Sequence, residues 1–220
     1  MNAASGGLKD VDIHNIVPKG RIRLAIIKDF CALALCGTAT LAAVGLTPCD
    51  HFAQAKPPQE LSLASTRRDL RVSKPSGSIR FHLTGYGYGE RLIKPLTGTL
   101  AVNGDRLEYQ RGDVTEWYLN GLQGLEQGFT LSHRPAGGGH DPLIIAIAVT
   151  SELKPVASGN AVEFASGEGV VFRYRGPRVW DARGRHLTSR LELRCRELRL
   201  IVDDRNAEYP VTIDPTLNEH

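Results

Sequence analysis

The chain is expected to be all-β, an antiparallel sandwich of about a dozen short strands. Three observations point there. From Ile79 onward apolar residues recur with period two, and no later segment sustains a period of 3.6. Turn signals built on Gly, Asn and Asp interrupt these runs every 8–12 residues or so. Several runs carry one strictly polar face, as sheets with one wet side do. A closed barrel is the alternative on the same pattern.

In chain order, the first 55 residues read as a signal-peptide region. Lys19, Arg21, Arg23 and Lys28 precede the apolar run Phe30 to Leu46, and Ala53-Gln54-Ala55 offers small residues at the positions a signal peptidase reads. The expected cleavage follows Ala55, and the expected location is extracellular or cell envelope. The apolar run is at the short edge of a bilayer span, which favours cleavage over a retained anchor; a cytosolic chain with a helical N-terminus is the other alternative. Leu46-Thr47-Pro48-Cys49 loosely resembles a lipobox, which makes a lipoprotein a further alternative, although proline fits poorly before the cysteine. The basic-to-apolar switch comes late for a signal peptide, and Met1 is the only methionine, so the start codon itself is open. Cleavage after Ala55 would leave Cys195 as the only thiol, and the fold must then stand on its core. Cys195 continues the apolar face of Leu191 and Leu193 and is expected to be a small buried hydrophobe.

Residues 56–78, with Pro57-Pro58, Pro75 and several serines, read as a linker with a helical turn near Leu63 to Leu70. The β-module is expected over 79–215, with a tail at 216–220. Ile79, Phe81 and Leu83 form its first strand, ended by Gly85-Tyr86-Gly87-Tyr88-Gly89. Asn103-Gly104 between two alternating runs predicts a hairpin, because both central residues of a type I′ turn need φ > 0. Leu125, Gln127, Phe129 and Leu131 share one face of a strand. Gly124 and Gly128 on its other face predict a bulge or the close approach of another backbone. Leu143 to Val149 is apolar on both faces and reads as a central strand. The runs Val170–Arg175, Leu191–Cys195, Leu198–Val202 and Tyr209–Ile213 follow, with a turn at Ala182-Arg183-Gly184-Arg185.

The net charge of +3 is nearly balanced, and the arginine runs are interleaved with acids, so nothing calls for nucleic acid or lipid. No nucleophile-elbow, zinc-protease, P-loop or dinucleotide motif occurs. Glu116 and Glu126 are the candidate carboxylate pair for glycoside cleavage, a turn and strand faces being the simpler account. His133, His140 and Asp141 flank the loop Gly137-Gly138-Gly139 without the spacing of a metal site. Asp203, Asp204 and Asn206 lack the spacing of a calcium loop. No cofactor or metal is expected. Trp117 and Trp180 are expected in the core. Tyr86, Tyr88 and Tyr118 could form an exposed stacking platform for sugars.

Leu107-Glu108-Tyr109-Gln110-Arg111, Thr115-Glu116-Trp117-Tyr118-Leu119-Asn120 and Gly124-Leu125-Glu126-Gln127-Gly128-Phe129-Thr130 resemble the N-terminal module of bacterial FG-GAP (integrin-α-like) repeat proteins. So do Asp181-Ala182-Arg183-Gly184-Arg185 and Ala207-Glu208-Tyr209-Pro210-Val211-Thr212-Ile213-Asp214-Pro215. A related module precedes the repeats of SBBP-type propeller proteins. The resemblance spans about Ile79 to Pro215. It implies a non-enzymatic structural or interaction module of a secreted protein, with a β-propeller or a cell-surface component as partner, and carries no catalytic residues. In the family, propeller repeats follow the Tyr-Pro-x-x-Ile-Asp-Pro strand; here His220 comes five residues after Pro215. The expectation is a truncated gene or a module acting alone. The alternative function is a carbohydrate-binding module.

Overall fold

The computed structural model describes residues 22–24, 61–65, 69–103, 106–121, 124–137 and 140–219. The signal-peptide residues, apart from the short strand at 22–24, lie outside them. Among the described residues there are only strands, turns and loops, in two facing sheets.

Sheet A contains β1 (Ile22–Leu24), β2 (Leu61–Ser65), β3 (Asp69–Lys74), β4 (Gly77–Tyr88), β9 (Leu143–Ser151), β14 (Glu197–Val202) and β13 (Ser189–Arg194), in that spatial order. Sheet B contains β10 (Lys154–Ala157), β11 (Ala161–Ser166), β12 (Gly169–Trp180), β15 (Val211–Glu219), β8 (Gly124–Leu131), β7 (Val114–Gly121), β6 (Arg106–Arg111) and β5 (Thr99–Asn103). Every pairing is antiparallel except that of β1 with β2. Among the described residues both sheets keep open edges, so the architecture is the sandwich rather than the barrel. Its core lies between the sheets. Phe81 of sheet A meets Tyr174 of sheet B with ring centroids 5.3 Å apart, and Phe164 at 6.3 Å edge to face.

Three boundaries differ from the sequence reading. The stretch expected as a linker contributes β2 and β3. Leu70 and Val72 are buried opposite Phe81 and Ile79, so period two governs there and not a helical turn. At the other end, β15 runs through the expected tail as far as Glu219, because Leu217 is buried opposite Tyr174. Pro215 sits within this strand because it faces a bulge. The partner register steps from Arg175↔Thr216 to Arg178↔Asp214, leaving Gly176 and Pro177 against it. The hairpin of β5 and β6 forms as expected, but the ladder closes at Asn103↔Arg106. Asn103 is therefore a strand residue, and Gly104 of the expected turn lies outside the described residues.

A second bulge decides the fate of the tyrosines. Between Leu83 and Gly85 the register of β4 against β9 slips by one, and Thr84 donates its hydroxyl to the Ala146 carbonyl, 3.0 Å away. The slip reverses which residues face inward. Phe81 and Leu83 point into the core before it, Tyr86 and Tyr88 after it. The glycine run consequently continues the strand instead of ending it. Gly85 turns outward, where Leu92 lies so close that a Cβ would collide with it, and Ile93 pairs with Tyr86. β9 is buried on both faces from Leu143 to Ile147, as its apolar sequence predicts.

Candidate functional site

Chemistry-bearing residues gather in three buried clusters and one open cleft. The first cluster is on the inner face of sheet B. Glu116 is fully buried, and Arg111, only 4% exposed, bonds to it at 2.8 Å. The Tyr118 hydroxyl and the Gln127 amide (3.1 Å) donate to its other oxygen, and the Tyr174 hydroxyl donates to Gln127 (3.2 Å). Burial first, and then the Glu116 charge, push both phenols well above their ordinary range, so they remain donors. Both Glu116 oxygens thus accept hydrogen bonds, as a buried carboxylate requires.

The second cluster locks the corner after β12. Asp181 accepts the backbone N–H groups of Arg183 (2.9 Å) and Arg185 (3.0 Å) on one oxygen. Its other oxygen takes the Arg185 guanidinium (2.7 and 2.9 Å) and the Glu208 N–H (3.2 Å). Burial would raise this carboxyl, but the bonds from Arg185 and the backbone outweigh it and hold it far below its usual value. Gly184 takes the left-handed conformation that closes the turn, with φ at 73°.

The third cluster ties sheet A to the loop before β15. One oxygen of buried Asp204 accepts the hydroxyls of Tyr88 and Tyr209, each at 2.6 Å, and the Arg134 guanidinium at 2.9 Å. Arg134 also donates to the Asp204 carbonyl and packs over the Tyr209 ring. Burial and the bond to Asp204 raise both phenols.

The cleft, of about 330 Å³, is lined by His140, Pro142, Thr188, Ser189, Arg190, Asp203 and Arg205. It holds the residue types of a Ser-His-Asp triad, but their contacts point elsewhere. The Ser189 hydroxyl donates to the Pro177 carbonyl at 2.8 Å. Asp203 is held bidentately by Arg205 at 2.6 and 2.9 Å, which brings its carboxyl down to about 2. A nucleophile and base hydrogen-bonded to one another, the mark of such catalysis, is not formed by these groups.

The residues singled out from sequence are dispersed. Glu116 points into the core, whereas Glu126 lies on the outer face of β8 beside Asp214, so the sheet separates the proposed carboxylate pair. Burial, then the Asp214 charge, raises Glu126. Tyr86, Tyr88 and Tyr118 are buried, the first two in sheet A and the third in sheet B, and form no exposed platform. Among the described residues no group of three His, Cys, Asp or Glu side chains is placed to hold a metal, His133, His140 and Asp141 included. Asp203 lines the cleft, Asp204 is buried and Asn206 is exposed, so the three do not converge. Trp117 is buried but outside the inter-sheet core, on the outer face of sheet B, with Arg106 stacked 4.1 Å from its ring. Trp180 is only half-buried.

What approaches Gly128 is this indole, rather than another backbone: a Cβ there would sit inside the Trp117 ring. Gly128→Ala is expected to displace the indole and lower unfolding stability by about 1–3 kcal/mol in a urea titration. Cys195 is likewise not buried. The hairpin of β13 and β14 closes at Arg194↔Glu197, which makes Cys195 an exposed turn residue with φ of 54°. Cys195→Gly is expected to raise stability by about 0.5–1 kcal/mol by removing the left-handed strain of a side chain, read as a shifted thermal midpoint.

Comparison of the chain with known protein families, with characterised proteins and with solved structures gave no match.

Proposed function

We propose that the chain is a non-enzymatic, secreted structural or interaction module of the kind that stands at the N-terminus of FG-GAP-type surface proteins. The observation that supports this reading most is where the motif residues go. Glu116, Trp117, Gly128, Asp181 and Tyr209 each make a tie that holds the sandwich together. Motifs spent on buried ties and corner turns are what a scaffold requires, whereas a catalytic motif would converge on a cleft. Secretion rests on the basic segment, the apolar run and Ala53-Gln54-Ala55.

The full-length chain should be exported and recovered with Lys56 as its first residue. It should show no saturable turnover on panels of esters, glycosides and peptides. Turnover that survives repurification and disappears in Ser189→Ala or His140→Ala would replace the scaffold reading with an enzyme centred on the cleft. An unprocessed chain retained in the cytosol would remove the secreted part alone.

A further inference from the structure

The sheet edges are not equally protected. An exposed edge strand offers unpaired backbone groups to any other strand, and proteins usually blunt it with charge, proline or a bulge. β10 carries Lys154 and Pro155, β13 carries Arg190, Glu192 and Arg194, and β1 carries Arg23. β5, Thr99-Leu100-Ala101-Val102-Asn103, carries neither charge nor proline, and its ladder with β6 has no bulge. Among the described residues it pairs only with β6. Two of the large apolar side chains left exposed lie in it or just before it, Val102 at 43% and Leu96 at 66%. Val156 of β10 is equally exposed, but it directly follows the guarding proline.

The register says which backbone groups are free. A ladder that closes at Asn103↔Arg106 across two residues makes that pair hydrogen-bonded. Alternation then turns the N–H and C=O of Asn103, Ala101 and Thr99 toward β6. Those of Leu100 and Val102 point away from the sheet. Two such strands related by a twofold axis through Ala101 match without adjustment. Leu100 meets the partner's Val102 in a hydrogen-bonded pair, twice over. Ala101 meets the partner's Ala101 in the close pair between them, where small side chains fit. Leu100 and Val102 lie on the same face, so the exposed valine packs beside the partner's Leu100. With no charge in the strand, no like charges oppose one another.

We propose that β5 is a self-association edge, joining two copies of this chain antiparallel about Ala101 into one continuous sheet. The contact is small, so the dimer should dissociate at micromolar concentration, on the order of 1–100 µM.

Sedimentation of the full-length chain across that range tests it. Val102→Pro removes an N–H that the fold does not use, and Val102→Lys installs the missing charge. Each should weaken dimerisation at least tenfold, with far-UV dichroism unchanged. Should the proline variant fail to fold, the lysine variant carries the same test. The register is read separately by mild oxidation. Ala101→Cys should crosslink two copies, because the close pair falls within disulfide reach, whereas Asn103→Cys, in the same background of native cysteines, should not. A chain that stays monomeric throughout, a dimer indifferent to Val102→Lys, or equal crosslinking at 101 and 103 would overturn the proposal.

Discussion

Replacing Glu116 by Ala is expected to cost about 3–5 kcal/mol of unfolding stability, the largest effect of any single substitution considered for this protein. The reason is what stays behind. Arg111 is 4% exposed and its guanidinium bonds to Glu116, so removing the carboxylate takes the 2.8 Å acceptor from a buried cation that packs over the Tyr109 ring. Tyr118 and Gln127 lose their acceptor at the same time. Glu116→Gln retains an acceptor for Tyr118 but not the charge, and should fall between wild type and Ala. Replacing both ions together, as Arg111→Met with Glu116→Leu, should recover most of the loss, since a buried ion pair is rarely better than well-packed apolar residues. Urea titrations of the three variants measure this. A double variant as unstable as Glu116→Ala would mean that the network as a whole, and not the loss of one ion from a buried pair, sets the cost.

Asp181→Ala should be nearly as damaging, at about 3 kcal/mol, because three backbone N–H groups and the Arg185 guanidinium lose their acceptor together. This carboxyl also gives a pH signature. Its folded value is depressed, so the stability it contributes is fully present above the unfolded value near 4 and is lost as pH falls toward the folded one. Asp214 acts in the opposite sense. Burial raises it despite the Arg178 bond, so its contribution favours the fold at low pH and fades as pH rises through its folded value. Wild-type stability should therefore decline below about pH 4, and Asp181→Asn should flatten that decline. An unchanged acid limb in Asp181→Asn would show that other carboxylates govern it.

The period-two pattern made most strands legible, because burial of alternate side chains is what a sandwich core demands. Residues that broke the pattern were read less well. Gln127 shares a face with Leu125, Phe129 and Leu131, and Glu116 shares one with Val114 and Tyr118; a polar residue at an inward position was the available sign of the buried network. Its partner Arg111 closes β6 and could equally have been a solvated strand end. The burial of Tyr86 and Tyr88 depends on a one-residue slip at Thr84, which no alternation rule anticipates. The alternation of Leu191 and Leu193 ends at Arg194, and Cys195 falls in a two-residue turn that period two does not mark. β3 was hidden because two apolar residues beside Pro75 resemble linker composition as closely as they resemble a strand.

The position of β15 bears on the order in which the molecule can assemble. Late in sequence, it is fourth of eight in space, seated between β12 and β8. Until Val211 and the residues after it emerge, the meander β5–β8 and the meander β10–β12 are separate half-sheets with an unfilled seam between them. Synthesis from the N-terminus therefore yields a chain that stays open until nearly everything described here has been made, and a cut just before Val211 would split sheet B in two rather than shorten it.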